Sequence, residues 1–182
     1  MPEVNEIFET ERLFLKPTDI EDADFIFELM NTPKWMQFIG DRNVKSKEAA
    51  QIYIKNKIRA QYERLGFSNY TVIRKSDNVK MGSCGLYDRE GLDGVDIGFA
   101  FLPQFEGQGY GFEAASNILK MAFEKFKLDK VVAITVKNNL VSQSLLKKLG
   151  LVNQGEILLP GDDKKMILFE IMNQLSLTNK SH

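Results

Sequence analysis

Residues 95–126 constrain the fold more than any other part of the 182-residue chain. Residues 95–102 are predicted to form a strand that Pro103 ends, and apolar residues recur at helical spacing from 114 to 126. Between them lies a loop with glycine at positions 107, 109 and 111. Because glycine permits tight turns and has no side chain, the first N–H groups of the helix face whatever lies beyond its end. Such an end suits a phosphate group.

The loop matches neither of two common nucleotide-binding patterns. A dinucleotide-binding fingerprint would need glycine in place of Phe112, and no Gly-Lys-Ser/Thr triplet marks a P-loop. Taken alone, the segment fits a flexible connector into a helix as well as it fits a phosphate site. The rest of the chain has to distinguish the two interpretations.

Hydrophobic periodicity divides the chain into short strands and helices. A capping-box pattern of Thr18 with Glu21 predicts the start of the first helix, Ser46 caps the second and Gly66 ends it. Residues 33–44 are predicted to be a loop. The order predicts one domain over residues 1–182, with a core at about 10–173 and a mixed sheet flanked by helices. Strands are predicted at 12–16, 70–73, 79–87, 95–102, 131–136, 151–159 and 166–172, and helices at 18–30, 46–65, 114–126 and 142–149.

Composition argues against several classes of enzyme. Cys84 is the only cysteine and His182, the last residue, is the only histidine. The chain therefore has no intramolecular disulfide, and we predict no metal site. Without an ordered imidazole, hydrolases of the Ser-His-Asp or Cys-His type and His-ligated zinc enzymes are disfavoured. Proton transfer then falls to carboxylates, Tyr, Ser, Cys84, Lys or water.

Charge and hydropathy argue against two classes of partner. Lys and Arg number 24 against 25 Asp and Glu, a net charge of -1 that gives no basic field for nucleic acid. No apolar run approaches the roughly 20 residues that span a bilayer, and residues 1–10 are acidic, unlike an export signal. We therefore expect a cytoplasmic protein that binds neither nucleic acid nor membrane.

Several short motifs together resemble one family. The chain is similar to the GNAT N-acetyltransferase superfamily, and most of all to its RimJ/RimL-like branch of ribosomal-protein N-acetyltransferases. The resemblance covers nearly the whole chain and implies an α/β, single-domain GNAT acyl-CoA N-acyltransferase fold, with a mostly antiparallel sheet of about seven strands and about four helices. The motifs are Arg12-Leu13, residues 82–86, Ile97-Gly98-Phe99, the loop 106–111, Asn139-Leu140-Val141-Ser142 and Lys148-Leu149-Gly150-Leu151.

The resemblance implies acetyl-coenzyme A (acetyl-CoA) as the cofactor. Glu106 stands where this family more often has Arg, Gln or Trp, and a carboxylate beside a pyrophosphate is unfavourable, so we expect its side chain to point to solvent. The implied cofactor residues are Gly107, Gln108, Gly109, Tyr110 and Gly111 at the pyrophosphate, Phe99, Ala100, Phe101 and Leu102 along the pantetheine arm, Asn139 and Ser142 near the sulfur, and Lys148, with Lys147, at the outer phosphate.

Two residues are the leading candidates for catalysis. Ser142 resembles the family residue that protonates the departing thiolate, although Asn139 and Ser142 equally fit plain helix caps. Asp96, where relatives often have Glu, is the candidate base, and a solvent-facing strand residue is the open alternative. Asp93, Glu106 and Tyr70 are weaker candidates. Cys84 reads as a small buried apolar residue rather than an acyl carrier.

The resemblance implies an enzyme that transfers acetyl from acetyl-CoA to a primary amine. We expect the amine to attack directly in a ternary complex and to belong to a protein N-terminus or to a small molecule. The alternative is an acyl-CoA-binding module of the same fold without turnover. We expect the acceptor to be selected by the first two helices, the final hairpin and the loop that carries Trp35, Met36 and Phe38. A homodimer stays open.

Overall fold

The computed structural model describes residues 5–179, so that His182 and residues 1–4 lie outside the description. It contains one mixed sheet. The strands are β1 (Phe8–Glu9), β2 (Leu13–Pro17), β3 (Asn69–Arg74), β4 (Lys80–Tyr87), β5 (Val95–Phe101), β6 (Lys130–Thr135), β7 (Val152–Ile157) and β8 (Met166–Met172). Their order in the sheet is β1-β2-β3-β4-β5-β6-β8-β7. Every neighbouring pair is antiparallel except β5 and β6, which are parallel.

Helices fill the connections between the strands. A π-helical stretch, Ile54–Arg59, joins α3 to α4 without a break, and 3-10 turns lie at Ile20–Asp22 and Pro103–Phe105. Within residues 5–179, no helix has both the length and the apolar character to cross a membrane. The helices are α1 (Ala23–Met30), α2 (Pro33–Phe38), α3 (Lys47–Tyr53), α4 (Ala60–Leu65), α5 (Tyr110–Glu124), α6 (Leu140–Lys148) and α7 (Gln174–Asn179).

Two apolar clusters hold these layers together. In the first, sheet residues such as Ile97 pack with Ile118 of α5, and in the second α1 and α3 pack around Ile54 and Leu102. Burial of each such side chain contributes about 1.5–3 kcal/mol. Because side chains alternate along a strand, β5 and the residue after it serve both clusters, with Ile97 in the first and Ala100 and Leu102 in the second.

The predicted fold class is confirmed. All seven predicted strands are present within two residues of their expected bounds. The four predicted helices are also present, but the first becomes α-helical only at Ala23, after a 3-10 turn from Ile20, and the third begins four residues early at Tyr110. Strand β1 and helix α7 were not predicted, because two and six residues are too few to show a period.

Two local predictions near the first helices are wrong. Residues 33–38 are a helix rather than part of a loop, because the Thr32 hydroxyl accepts the Trp35 N–H at 3.3 Å and Pro33 suits a first helical position. The first cap is Asp19 in a capping box with Asp22, not Thr18 with Glu21. Thr18 is buried instead, with its hydroxyl 2.9 Å from that of Thr71.

Candidate active site

The sheet splits between its two parallel strands. β5 and β6 pair only at Val95 with Val131 and Asp96 with Val132. Farther along, β5 stays paired with β4 as far as Phe101, and β6 stays paired with β8. In the part of the chain that the structure describes, residues 97–101 therefore have no strand partner on the β6 side. Such an edge offers N–H and C=O groups to an extended ligand that carries amides.

The glycine loop lies at the open end of this split. Gly107 and Gly109 have φ angles of +70° and +82°, in the left-handed region that favours glycine. Gly109 is the N-cap of α5 and gives it no side-chain cap, so the first N–H groups of this helix are available to a ligand. A methyl group on Gly111 would lie 3.5 Å from Leu145 and 3.7 Å from Phe101. The start of α5 thus lies against both α6 and the end of β5.

Arg12, near the N-terminus, contacts the start of α5 through several side-chain interactions. Its Nε lies 2.7 Å from Glu113 Oε2, its Nη1 donates to the Gln108 carbonyl at 3.1 Å, and its guanidinium lies 4.3 Å from the Tyr110 ring centroid. Burial by itself raises the pKa of Glu113, but hydrogen bonds from Thr10 and Arg12 outweigh it and lower that pKa. Glu113 therefore stays charged, and Arg12 balances it.

Glu106 is paired rather than free. Its carboxylate forms an ion pair with Nζ of Lys34, at the start of α2, and the side chain is 33% exposed. The expected solvent-facing position thus holds only in part, because another helix supplies a counter-charge. Periodicity contains no signal for this contact, which joins residues 72 apart in the sequence.

Asn139 and Ser142 lie at the start of α6. Asn139 is the N-cap, and its Oδ1 accepts the Ser142 N–H at 3.2 Å. The Ser142 hydroxyl has no hydrogen-bond partner among residues 5–179. It lies in the first turn, where the helix dipole favours negative charge. At the other end of α6, Nζ of Lys148 lies 4.2 Å from the ring centroid of Phe112 in α5.

Asp96 lies at the last β5–β6 pair, where the split begins. It is only 3% exposed, so the alternative of a solvent-facing strand residue is wrong. Arg89 Nε donates to Asp96 Oδ2 at 3.0 Å. The pKa of Asp96 is raised to about 6, because burial disfavours the carboxylate more than Arg89 and the backbone of Ile134 favour it.

The weaker candidates for the base, and Cys84 as an acyl carrier, lie in surroundings that do not suit these roles. The Asp93 side chain is 98% exposed and pairs with Lys130. Burial raises the pKa of Tyr70, which is 1% exposed, and keeps its phenol neutral. Burial likewise raises the pKa of the Cys84 thiol to about 12, so this residue is an unreactive core side chain.

The three residues named in the expected acceptor loop belong to α2. Trp35 packs on the second apolar cluster, and its Nε1 donates to the Gly40 carbonyl at 3.1 Å. Met36 is 36% exposed. Phe38 is partly buried at the end of this helix. These three residues therefore form part of a short helix that packs on the α1 and α3 side of the sheet.

A split parallel strand pair beside a glycine-rich helix start is the arrangement of a transferase that takes its acyl group from coenzyme A. The chain belongs to the acetyltransferase (GNAT) domain family, which it matches over residues 12–152. It is an acetyl-CoA-dependent acetyltransferase. The unpaired edge of β5 and the uncapped start of α5 fit such a cofactor, because they offer backbone groups to its amides and phosphates.

Relatives and solved structures agree with this family. The chain is 25% identical over 146 residues to YnaD of Bacillus subtilis, an uncharacterised N-acetyltransferase, covering 80% of this chain and 82% of that one. It is 34% identical over 158 residues to the Aspergillus fumigatus FsC-acetyl coenzyme A-N(2)-transacetylase, covering 79% of this chain and 64% of that one. Its fold matches that of RimL, the ribosomal L7/L12 alpha-N-protein acetyltransferase, in a complex with coenzyme A. The TM-score is 0.75 at 18% identity, and the match covers 92% of this chain and 98% of that one. The predicted membership of the GNAT superfamily is thus confirmed, and the likeness to RimL is one of fold.

Proposed function

We propose that this acetyltransferase acts on primary amines by direct transfer in a ternary complex, with Asp96 as the base and Ser142 as the acid. The observation that carries the proposal is the end of β5–β6 pairing at a buried carboxylate. A ligand that extends along the free edge of β5 would point its reactive end toward that carboxylate.

The residues proposed to hold acetyl-CoA come from three parts of the chain: the glycine loop, the free edge of β5 and the start of α6. When bound, acetyl-CoA supplies a thioester carbonyl that an amine can attack. The loop amides would bind the pyrophosphate, the edge of β5 the pantetheine amides, and the start of α6 the sulfur end. The residues are Gly107, Gln108, Gly109, Tyr110 and Gly111 in the loop, Phe99, Ala100, Phe101 and Leu102 after the split, Asn139 and Ser142 at α6, and Lys148 beside Phe112 for the outer phosphate.

Asp96 is proposed to accept the proton of the acceptor. An ammonium group has no lone pair, so it must lose a proton before it can attack a carbonyl. A carboxylate with a pKa of about 6 is largely ionised at pH 7 and is a stronger base than an ordinary Asp. Arg89 holds this carboxylate through one oxygen, Oδ2.

Ser142 is proposed to protonate the departing thiolate. Its hydroxyl is free of other hydrogen bonds in the described chain, so it can donate to a ligand without breaking a contact. The positive end of α6 would stabilise the thiolate before the proton arrives. The Asn139 cap keeps this helix end in place by binding the Ser142 N–H.

The preferred acceptor is the α-amine of a protein N-terminus. With a pKa near 8, about a tenth of such amines are neutral at pH 7, whereas a lysine amine with a pKa near 10.4 is almost wholly protonated. A base as weak as Asp96 suits the first group. The structural neighbour RimL is an alpha-N-protein acetyltransferase, and its activity favours the same class of acceptor. A small-molecule amine is the second candidate, which the N(2)-transacetylase relative favours.

Thiol release with a panel of acceptors tests the proposal. The purified protein is incubated with acetyl-CoA and either peptides with free N-termini, the same peptides with blocked N-termini and one lysine, or small amines. We expect release above the hydrolysis background, fastest with free N-termini. Binding of the cofactor without amine-dependent release from any acceptor would contradict the proposal and favour a binding module.

A further inference from the structure

Two carboxylates lie on either side of the amides proposed to bind pyrophosphate. Glu106 precedes the loop glycines, and Glu113 lies in the first turn of α5. A negative charge at either place opposes the binding of an anion. Each is paired with a cation from an element outside the loop, Glu113 with Arg12 and Glu106 with Lys34.

Lys34 is held close to the loop by the packing of α2. Thr32 caps this helix, and Pro33 fixes its first turn. The next residue, Trp35, packs on the second apolar cluster, as does Phe105, the residue before Glu106. Packing of these two neighbours on one cluster therefore holds the backbones of Lys34 and Glu106 on the same side of the sheet, independently of the ion pair.

The ion pair itself contributes little to folding. The side chains of Lys34 and Glu106 are 56% and 33% exposed, and exposed pairs add little to stability. Its main effect is local, because it balances the charge of the carboxylate that directly precedes the loop glycines.

We propose that Lys34 is a positioning residue for acetyl-CoA, which neutralises Glu106 so that the loop amides present a net positive field to the pyrophosphate. The proposal rests on the cofactor site proposed above. Lys34 acts through Glu106, on the binding of the cofactor rather than on the transfer step.

Calorimetry with coenzyme A tests this role. Lys34→Gln leaves Glu106 unbalanced and should weaken binding about two- to fivefold at low salt, the range of exposed charge pairs. The loss should shrink at high salt. Lys34→Gln combined with Glu106→Gln should restore the affinity. The kcat at saturating acetyl-CoA should stay at the wild-type value while KM for acetyl-CoA rises.

A truncated donor separates the charge effect from a general loosening of α2. S-acetylpantetheine has the thioester arm but no pyrophosphate, so its KM should be the same in the wild type and in Lys34→Gln. Lys47→Gln is the matched control, since Lys47 is 51% exposed and also joins two elements through an ion pair, with Asp24 of α1. It should leave the affinity for coenzyme A unchanged.

Three results would overturn the role of Lys34. They are an unchanged affinity in Lys34→Gln, no recovery in the double variant, and an equal loss with S-acetylpantetheine. Absence of coenzyme A binding by the wild type would instead remove the cofactor site itself, and both proposals with it.

Discussion

At the scale of single residues, Arg89 and burial act in opposite directions on the pKa of Asp96. Burial raises the pKa of Asp96, and Arg89 at 3.0 Å works against that rise. Tyr87, its neighbour across β4 and β5, stays neutral because burial raises its own pKa well above the usual value. Arg89 is therefore the cation that keeps Asp96 ionised near neutral pH.

The pH profile of the reaction tests this pair. If Asp96 is the base, kcat/KM should fall as the pH drops through about 6, where the carboxylate takes up its proton. Arg89→Met removes the cation that lowers the pKa of Asp96, so the acid limb should move to higher pH. Arg89→Lys retains a charge and should move it less. An acid limb at the same pH in Arg89→Met would rule out this role for Arg89.

Ser142 makes a second prediction at this scale. Ser142→Ala removes a hydroxyl with no partner in the described chain, so stability should stay within about 0.5 kcal/mol of the wild type. The kcat should fall by at least about tenfold, while the affinity for coenzyme A changes little, because the acid acts only in the transfer step. Ser144→Ala, at an exposed position of the same helix, is the control. Equal kcat values for the two variants would exclude Ser142 as the acid.

At the scale of elements, the start of α5 depends on backbone that only glycine adopts easily. Gly109 has a φ of +82°, and an added methyl group would lie 3.3 Å from the Arg12 guanidinium. A side chain here therefore strains the backbone and disturbs the cation that balances Glu113. Backbone strain and disturbance of Arg12 can be separated, because another glycine of the chain has a similar φ but no atom close to an added methyl group.

Gly109→Ala should destabilise the fold by about 1–2 kcal/mol and also weaken coenzyme A binding. Gly161→Ala is the matched control, because Gly161 has a φ of +81° but no atom within 4 Å of an added methyl group. It should show a similar loss of stability in chemical denaturation and no change in cofactor affinity. Equal affinities for the two variants would show that the start of α5 does not hold the cofactor.

Prediction from the sequence succeeded for elements whose own residues show a clear hydrophobic pattern. Helix α5 showed a long apolar stripe, and β6 a compact β-branched run. It failed for α2, which has six residues and is defined by one cap and one proline. The contacts of Glu113 with Arg12 and of Glu106 with Lys34 were beyond reach, since they join residues 101 and 72 apart and depend on tertiary packing.

At the scale of the whole molecule, the split in the sheet brings the proposed parts together. β5 supplies a free edge along one side and a buried carboxylate where the split begins, and α5 and α6 both begin after strands that border it. The sequence motifs implied the cofactor through a family resemblance. They did not show that the pairing of β5 with β6 stops at Asp96. That position follows from the strand register, which a single sequence does not contain.

A crystal structure with coenzyme A tests the central claim most directly. We predict that the pyrophosphate lies within hydrogen-bond distance of the backbone amides of residues 107–111, and that the pantetheine amides pair with residues 99–102, at the end of the free β5 edge and directly after it. The sulfur should then lie near the start of α6. Coenzyme A bound elsewhere, or β5 and β6 paired beyond Asp96 in the complex, would contradict the account.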